Sequence, residues 1–196
     1  MSLPDNPDLA PLRLLLVEDH RVDAALLLEL LEQLPDGERP TVTHVDSAAR
    51  AEQALAAQDY DCVLLDLGLP DGDGVENIER IRGAGAGAGA GAAIVVMTGL
   101  DDERRAAESL RRGAQEYLVK GQLDSAALLR HLRHAIQRHL LVRDLDQQHE
   151  QQKQLAGQDA LTGLANRQRL AEHAREALEL ARARGERLAL VFIDLD

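Results

Sequence analysis

The sequence YDCVLLDLGLPDGDG, residues 60–74, decides the fold of this chain. Its first half is a short apolar run that ends in Asp66, and its second half is rich in glycine and proline, which is typical of a tight turn. The run has no polar face, as expected for a strand that is covered by helices on both sides of a sheet. The stretch therefore predicts a central strand of a parallel sheet, with Asp66 at its carboxyl end.

Similar runs recur on both sides of this stretch, at residues 12–17, 41–45, 93–99 and 116–120. The segments between them carry apolar residues at helical spacing and predict helices at residues 22–34, 47–58, 74–82 and 102–112, with a last helix from Ser125 onward. Ser47 is placed as an N-cap, and Gly113 suits a helix end. Alternating strands and helices of this kind are typical of βαβ units. We predict an α/β fold, a doubly wound five-stranded parallel sheet.

One segment, GAGAGAGAGAA at residues 83–93, matches neither a helix nor a strand pattern. Glycine at every second position gives the backbone great freedom, so we expect a flexible loop that lengthens the third connection between helix and strand. A silk-like strand is the alternative, although so short a repeat in one chain has little to stack on.

The last helix of the series has no glycine or proline from Ser125 to Ala156, so it can run for about 48 Å at 1.5 Å per residue. Five residues along its distal part are spaced by alternating steps of four and three: Leu141, Leu145, Gln148, Gln152 and Leu155. This spacing favours a two-helix coiled coil with polar positions in its seam, and hence a homodimer. A solvated linker is the alternative.

The chain changes character after Gly157. DALTGLANR, residues 159–167, predicts a turn, and Asn166 then caps an amphipathic helix over residues 167–184 that Gly185 ends. The final RLALVFIDLD, residues 187–196, predicts a strand. Because a lone strand has no sheet to join, we expect the beginning of a second domain that is cut short.

The composition limits the kind of core and the kind of ligand. The chain has 196 residues, of which 45% are hydrophobic and only 2% aromatic, so its core must be aliphatic. A formal charge of −12 argues against nucleic acid as a partner. The single cysteine, Cys62, lies in an apolar run and is expected to be a buried small hydrophobe rather than a reactive thiol. No secretory signal or membrane-spanning run is present, so we expect a cytoplasmic protein.

Polar residues end four of the five predicted strands, and they form a set. Glu18 and Asp19 follow the first strand, Asp66 the third, Thr98 the fourth and Lys120 the fifth. Ligands of open α/β sheets gather at these carboxyl ends, so the three carboxylates are expected to share one cleft. Clustered carboxylates repel one another unless a hard cation neutralises them, and Mg²⁺ suits such a set.

A cleft of this kind can carry out phosphoryl transfer. Asp66 can act as a nucleophile toward phosphorus and form an acyl phosphate. Lys120 can place a positive charge beside the phosphoryl oxygens, and the hydroxyl of Thr98 can donate a hydrogen bond to one of them. The small Gly99 would leave room for the donor.

These motifs carry a resemblance to a known family. From Leu12 to about Arg138 the chain resembles the receiver domains of two-component response regulators. The resemblance rests on LLLVEDH with its acidic pair, on LLDLGLPDGDG with its aspartate, proline and glycine, on VVMTG, and on EYLVK. It implies a flavodoxin-like, CheY-like sheet with the strand order 2-1-3-4-5.

The resemblance also implies roles for single residues. Asp66 would accept phosphate from a histidine kinase or a phosphotransfer protein, and Mg²⁺ would be held by Asp19, Asp66 and the carbonyl of Gly68, with Glu18 acting through a water. Two further residues form the implied switch: Thr98 would move toward the phosphate and let Tyr117 turn inward. The chain departs from the family at Gly121, where many members have a proline after the lysine.

The C-terminal part resembles the opening of a GGDEF-type diguanylate cyclase domain, from DALTGLANR to VFIDLD. The resemblance implies that Asp194 is a metal ligand and that Leu195 contributes its carbonyl. The signature loop that binds GTP is absent from this sequence, so we expect the chain as given not to make cyclic di-GMP and the intact parent protein to be a diguanylate cyclase.

Together these observations predict an N-terminal tail at residues 1–11, a receiver domain at 12–138, a helical linker at 139–157 and a truncated start of a GGDEF domain at 158–196. Two other functions remain open. An Mg²⁺-dependent phosphatase of the haloacid-dehalogenase type also uses an aspartate nucleophile, but Asp66 here lacks the second carboxylate of the DxD motif. A dimerisation module that is never phosphorylated would use the long helix alone.

Overall fold

The structure is a computed structural model that describes residues 12–72, 74–85, 91–99, 103–121, 123–156, 164–189 and 191. The strands are β1 Arg13–Val17, β2 Thr41–Val45, β3 Cys62–Asp66, β4 Ala93–Thr98 and β5 Glu116–Val119. The helices are α1 Arg21–Glu32, α2 Ala48–Ala57, α3 Gly74–Gly85, α4 Glu103–Arg111, α5 Ser125–Ala156 and α6 Arg167–Arg184. None of the described helices is long and apolar enough to cross a membrane.

The five strands form one parallel sheet in the order β2-β1-β3-β4-β5. This confirms the predicted doubly wound α/β fold and the strand order that the resemblance implied. The central strand β3 is buried at all five positions, in agreement with its unbroken apolar run. The edge strand β2 is only partly buried, which explains why its sequence TVTHV mixes polar and apolar residues.

Alternate residues of each inner strand face opposite sides of the sheet, and each side has its own core. Leu14, Leu16 and Leu64 lie in one core with the buried leucines of α1 and α5. Leu15, Val63 and Leu65 lie in the other with residues of α2 and α3. Both cores are almost entirely aliphatic, as the composition requires.

Cys62 belongs to the first of these cores and is 1% exposed. Burial raises the pKa of its thiol, and the nearby charge of Asp61 raises it further. The thiol is therefore protonated and inaccessible, and the prediction that Cys62 is a buried small hydrophobe is confirmed.

The predicted capping residues lie at the ends of α2 and α4. The Ser47 hydroxyl accepts a hydrogen bond from the backbone N–H of Arg50 at the start of α2. After α4, Gly113 has a φ of +101°, and a β-carbon there would lie 2.5 Å from a guanidinium nitrogen of Arg82. The guanidinium is the flexible end of a side chain and can move aside, so it is the positive φ that favours glycine at this helix end.

The Gly-Ala repeat is partly helical, so the expectation of a loop over residues 83–93 is wrong at both ends. Helix α3 continues to Gly85, and β4 begins at Ala93. The helix enters the repeat because extending an existing helix adds one hydrogen bond per residue, and alanine is the best helix former. Residues 86–90 lie outside the described part of the chain.

The chain divides into two compact units, residues 1–142 and 143–196, and this division falls within α5. In the second unit, Asn166 caps α6 by accepting a hydrogen bond from the N–H of Arg169, and Gly185 ends the helix with a φ of +68°. Both agree with the predicted caps. Of the predicted strand, residues 187–189 and 191 are described and are not in a strand; the rest, and residues 159–163 of the predicted turn, lie outside the described residues.

Candidate functional site

The carboxyl ends of β1, β3, β4 and β5 bring the predicted site residues to one edge of the sheet. Val17 pairs with Leu65, so the next residues along these two strands, Glu18 and Asp66, emerge side by side. Asp66 itself pairs with Met97, the residue before Thr98. This register follows from the parallel pairing of neighbouring strands.

Glu18, Asp19 and Asp66 form an acidic cluster in which one carboxylate oxygen from each lies within 4.8 Å of the others. Glu18 and Asp66 are buried, and Asp19 is exposed. Three hard oxygen ligands, one of them open to solvent, fit a hard divalent cation such as Mg²⁺, which takes carboxylate oxygens and keeps several waters. The cluster can hold a metal ion.

Lys120 places one positive charge beside this cluster. Its Nζ donates hydrogen bonds to Glu18 Oε2 at 2.6 Å and to Asp23 Oδ2 at 3.0 Å, and lies 3.0 Å from Asp66 Oδ1. Burial alone would lower the pKa of Lys120, but the three carboxylates outweigh it and raise the pKa. The side chain therefore stays an ammonium that faces the carboxylate of Asp66.

The carboxyl of Glu18 is fully buried, and this burial raises its pKa, although the hydrogen bond from Lys120 opposes the effect. Its backbone is held on both sides, because its N–H donates to the Val45 carbonyl at 3.0 Å and its own carbonyl accepts from His44 Nε2 at 2.8 Å. The strand end that carries the acidic pair is therefore held firmly to β2.

Asp23 is a site residue that the sequence reasoning missed. It lies in the first turn of α1, and its other carboxylate oxygen is 3.2 Å from His20 Nδ1. The hydrogen bond from Lys120 is the main reason why the pKa of Asp23 is lowered. Its one signal in the sequence is its place in the first turn of the helix that follows the acidic pair at the end of β1.

The loop after β3 lies close to Asp66 and is attached to two helices. A β-carbon on Gly68 would lie 3.0 Å from Asp66 Oδ2, so the Gly68 backbone passes beside this carboxylate. Further along, Asp71 accepts hydrogen bonds from the N–H groups of Ala48 and Ala49 at 3.0 and 2.9 Å, and so caps α2.

A guanidinium completes the attachment of this loop. Arg80 of α3 donates to the carbonyl of Asp71 at 3.1 Å and to Asn77 Oδ1 at 3.0 Å. Its remaining N–H groups bind both oxygens of Glu52 on α2. The loop that follows Asp66 is therefore held between α2 and α3.

The two predicted switch residues differ in exposure. Thr98 is buried at the end of β4, and its carbonyl accepts a hydrogen bond from the N–H of Lys120 at 2.9 Å. Tyr117 on β5 is 43% exposed.

Gly121 follows Lys120 and has a φ of +79°. Proline cannot adopt this φ, so the glycine that stands here in place of the family's common proline has a conformational reason. The predicted C-terminal metal ligands, Asp194 and Leu195, lie outside the described residues.

Two family descriptions match the sequence. "Response regulator receiver domain" matches residues 14–133, and "Diguanylate cyclase, GGDEF domain" matches residues 156–196. The chain is 36% identical over 109 residues to the transcriptional regulatory protein BasR of Escherichia coli K12, which covers 56% of this chain and 46% of that protein. With the KDP operon regulatory protein KdpE of the same organism it shares 32% over 125 residues, covering 64% and 51%. The chain thus spans about half the length of the curated relatives it matches.

Solved structures show the same fold. The receiver domain of the sensor histidine kinase PA1611 from Pseudomonas aeruginosa PAO1, with magnesium ion coordinated in its active site cleft, is 30% identical with a TM-score of 0.53, covering 65% of this chain and 98% of that one. The signal receiver domain of an HD domain-containing protein from Pseudomonas fluorescens Pf-5 is 26% identical with a TM-score of 0.58, covering 72% and 98%.

Proposed function

This chain belongs to the family of response regulator receiver domains, and from this premise we propose that Asp66 is the residue that accepts a phosphoryl group. The observation that carries the proposal is the position of the Lys120 ammonium, 3.0 Å from Asp66 Oδ1 and 2.6 Å from Glu18 Oε2. This places a nucleophile, a cation and a second acid within one small cleft. Such an arrangement suits the binding and transfer of a phosphoryl group.

In the proposed reaction, a carboxylate oxygen of Asp66 attacks the phosphorus of a phosphohistidine on a histidine kinase or phosphotransfer protein. The new O–P bond forms as the P–N bond breaks, and the electron pair of the broken bond stays on the histidine nitrogen. The product is an acyl phosphate on Asp66. Lys120 and Thr98 donate hydrogen bonds to the phosphoryl oxygens, where an ionised donor is worth more than a neutral one.

We propose Mg²⁺ as the cofactor, held by Glu18, Asp19, Asp66 and the carbonyl of Gly68. When bound, the ion supplies positive charge to the carboxylates and to the phosphoryl oxygens. The support is the cluster of carboxylate oxygens within 4.8 Å and the Gly68 backbone beside Asp66. Asp19 is exposed, so a phosphoryl donor could approach the cluster from solvent.

Phosphorylation is proposed to control the C-terminal part of the protein. Residues 156–196 match the diguanylate cyclase family, so we infer that the intact protein makes cyclic di-GMP under the control of Asp66, with Asp194 and the Leu195 carbonyl as cyclase metal ligands. Thr98 and Tyr117 would pass on the change; Tyr117 is exposed on β5, the strand that pairs with the one ending in Thr98. We expect this to take place in the cytoplasm.

We propose that the protein works as a homodimer in which α5 forms a two-helix coiled coil. The first two members of the predicted stripe, Leu141 and Leu145, are 63% and 65% exposed on a single copy of the chain. Large exposed leucines at this spacing are expected where a second helix covers them. Phosphorylation would then change the geometry of the dimer, and spin labels on the two helices would report a distance that changes when beryllofluoride is added.

The main experiment is incubation of the chain with Mg²⁺ and acetyl phosphate, followed by intact-mass measurement. We expect one added phosphoryl group on the wild type and none on Asp66→Asn. Asp59→Asn is a matched control, since Asp59 is an exposed aspartate just before the same strand. A wild type that gains no phosphate, or an Asp66→Asn variant that gains as much, would overturn the proposal.

A further inference from the structure

We propose that Asp23 is a positioning residue that restrains Lys120 before phosphorylation and so slows the loading of Asp66. This inference rests on the proposed function of Asp66. It concerns a residue on a helix, outside the set of strand ends that form the rest of the site.

Three carboxylates compete for the ammonium of Lys120. An ammonium has three N–H groups, and three carboxylates surround it: Glu18 Oε2 at 2.6 Å, Asp23 Oδ2 at 3.0 Å and Asp66 Oδ1 at 3.0 Å. Two of the N–H groups donate hydrogen bonds to Glu18 and Asp23, and the ammonium also lies against Asp66, so a phosphoryl oxygen that arrives at Asp66 must compete with carboxylates for a donor.

Asp23 is the carboxylate that competes with an incoming phosphoryl group for Lys120. Glu18 and Asp66 are members of the acidic cluster, and they still hold Lys120 at the strand ends if Asp23 is removed. Asp23 lies on α1 and is not part of that cluster. Its charge is therefore not taken up by a metal or by the phosphoryl group, and it keeps attracting the ammonium when the phosphoryl oxygens need it.

The Asp23 carboxylate lies between two partners and is partly open to solvent. Its Oδ1 lies 3.2 Å from His20 Nδ1 while its Oδ2 faces Lys120. The Asp23 side chain is 33% exposed, against 0% for Glu18. Water can therefore replace Asp23 at little cost, so its removal should change the behaviour of Lys120 without damaging the core.

The test compares phosphorylation by acetyl phosphate in the wild type, Asp23→Asn, Asp23→Glu and Glu29→Gln, each across a range of donor concentrations. Asparagine keeps the shape of the side chain but loses its charge, so we expect the maximal rate to rise about two- to fivefold, the size of an ion pair that is partly exposed. Asp23→Glu keeps the charge and should return the rate toward that of the wild type.

Glu29→Gln is the matched control, because Glu29 lies on the same helix and makes no ion pair with Lys120. It should change only the donor concentration needed for half-maximal rate, through the net charge, and leave the maximal rate unchanged. Equal acceleration by Glu29→Gln, or no acceleration by Asp23→Asn, would overturn the role of Asp23 and leave Asp66 as the acceptor. A wild type that takes no phosphate would overturn the proposed function and this inference with it.

Discussion

Gly74, the first residue of α3, approaches Leu67 so closely that a β-carbon at Gly74 would lie 2.2 Å from the carbonyl oxygen of Leu67. The neighbouring atom belongs to the backbone and cannot rotate away. Gly74 thus sets how tightly the loop after Asp66 turns into the helix.

Gly74→Ala should therefore lower the free energy of unfolding by about 2 kcal/mol, since the added methyl forces the backbone to shift. The same substitution at Gly83, in the same helix, is the control. A β-carbon on Gly83 has no atom within 4 Å, so Gly83→Ala should stabilise the protein by about 0.5–1 kcal/mol. Denaturant unfolding of both variants measures the contrast, and equal effects would contradict it.

Asp71→Ala should lower the free energy of unfolding by about 1 kcal/mol, because it removes the cap of α2. Burial alone would raise the pKa of Asp71, but the hydrogen bonds from Ala49 and Ala48 outweigh it and lower the pKa. A carboxyl with a lowered pKa stabilises the fold fully above its unfolded pKa and loses that effect as pH falls through the folded pKa.

The difference between wild type and Asp71→Ala should therefore be constant near neutral pH and shrink below about pH 4. Ser47→Ala removes the other cap of the same helix without removing a titrating group. Its cost should not depend on pH in this way. A gap for Asp71→Ala that stays the same down to pH 3 would rule out the proposed cause.

Lys120→Gln should destabilise the metal-free protein by about 2–3 kcal/mol, because it leaves the fully buried Glu18 beside Asp66 with no cation. Adding Mg²⁺ should recover much of this loss, since a bound cation replaces the missing charge. Thermal unfolding with and without Mg²⁺ measures both effects. Arg50→Gln breaks an exposed pair with Asp46 and should cost less than about 0.5 kcal/mol in either condition.

Leu145→Glu should weaken the proposed dimer at least tenfold in dissociation constant, since it places a charge in the seam of a coiled coil. Leu180→Glu is the control, because Leu180 is an exposed helix leucine outside the stripe, at 52% against 65% for Leu145. Sedimentation equilibrium compares the two variants. If both behave as the wild type does, α5 is not the interface.

The sheet could be predicted because its signal is local. Each strand is a short apolar run between polar turns, and the run at β3 needs no distant residue to be recognised. The strand-end residues followed from the same information, since parallel strands bring their carboxyl ends together. Helix boundaries followed less closely from the sequence, because α3 extends into the Gly-Ala repeat as far as Gly85.

Asp23 and Asp71 could not be assigned a role from the sequence, because their partners are far along the chain. From the sequence alone, Asp23 is an ordinary acidic residue on a helix; its contact with Lys120, the residue after β5, is seen only in the structure. Asp71 appears as a turn residue, yet it caps a helix that precedes it. Both contacts depend on where the side chains lie in three dimensions, and the spacing of apolar residues in the sequence does not predict this.

Because Cys62 is buried in the central strand β3, its reaction with a thiol reagent can report the opening of the sheet. A thiol reagent should modify the folded protein only as fast as β3 becomes accessible, so its rate measures how often the sheet opens. The same protection means that cysteines can be introduced on the surface for labelling without replacing the native one.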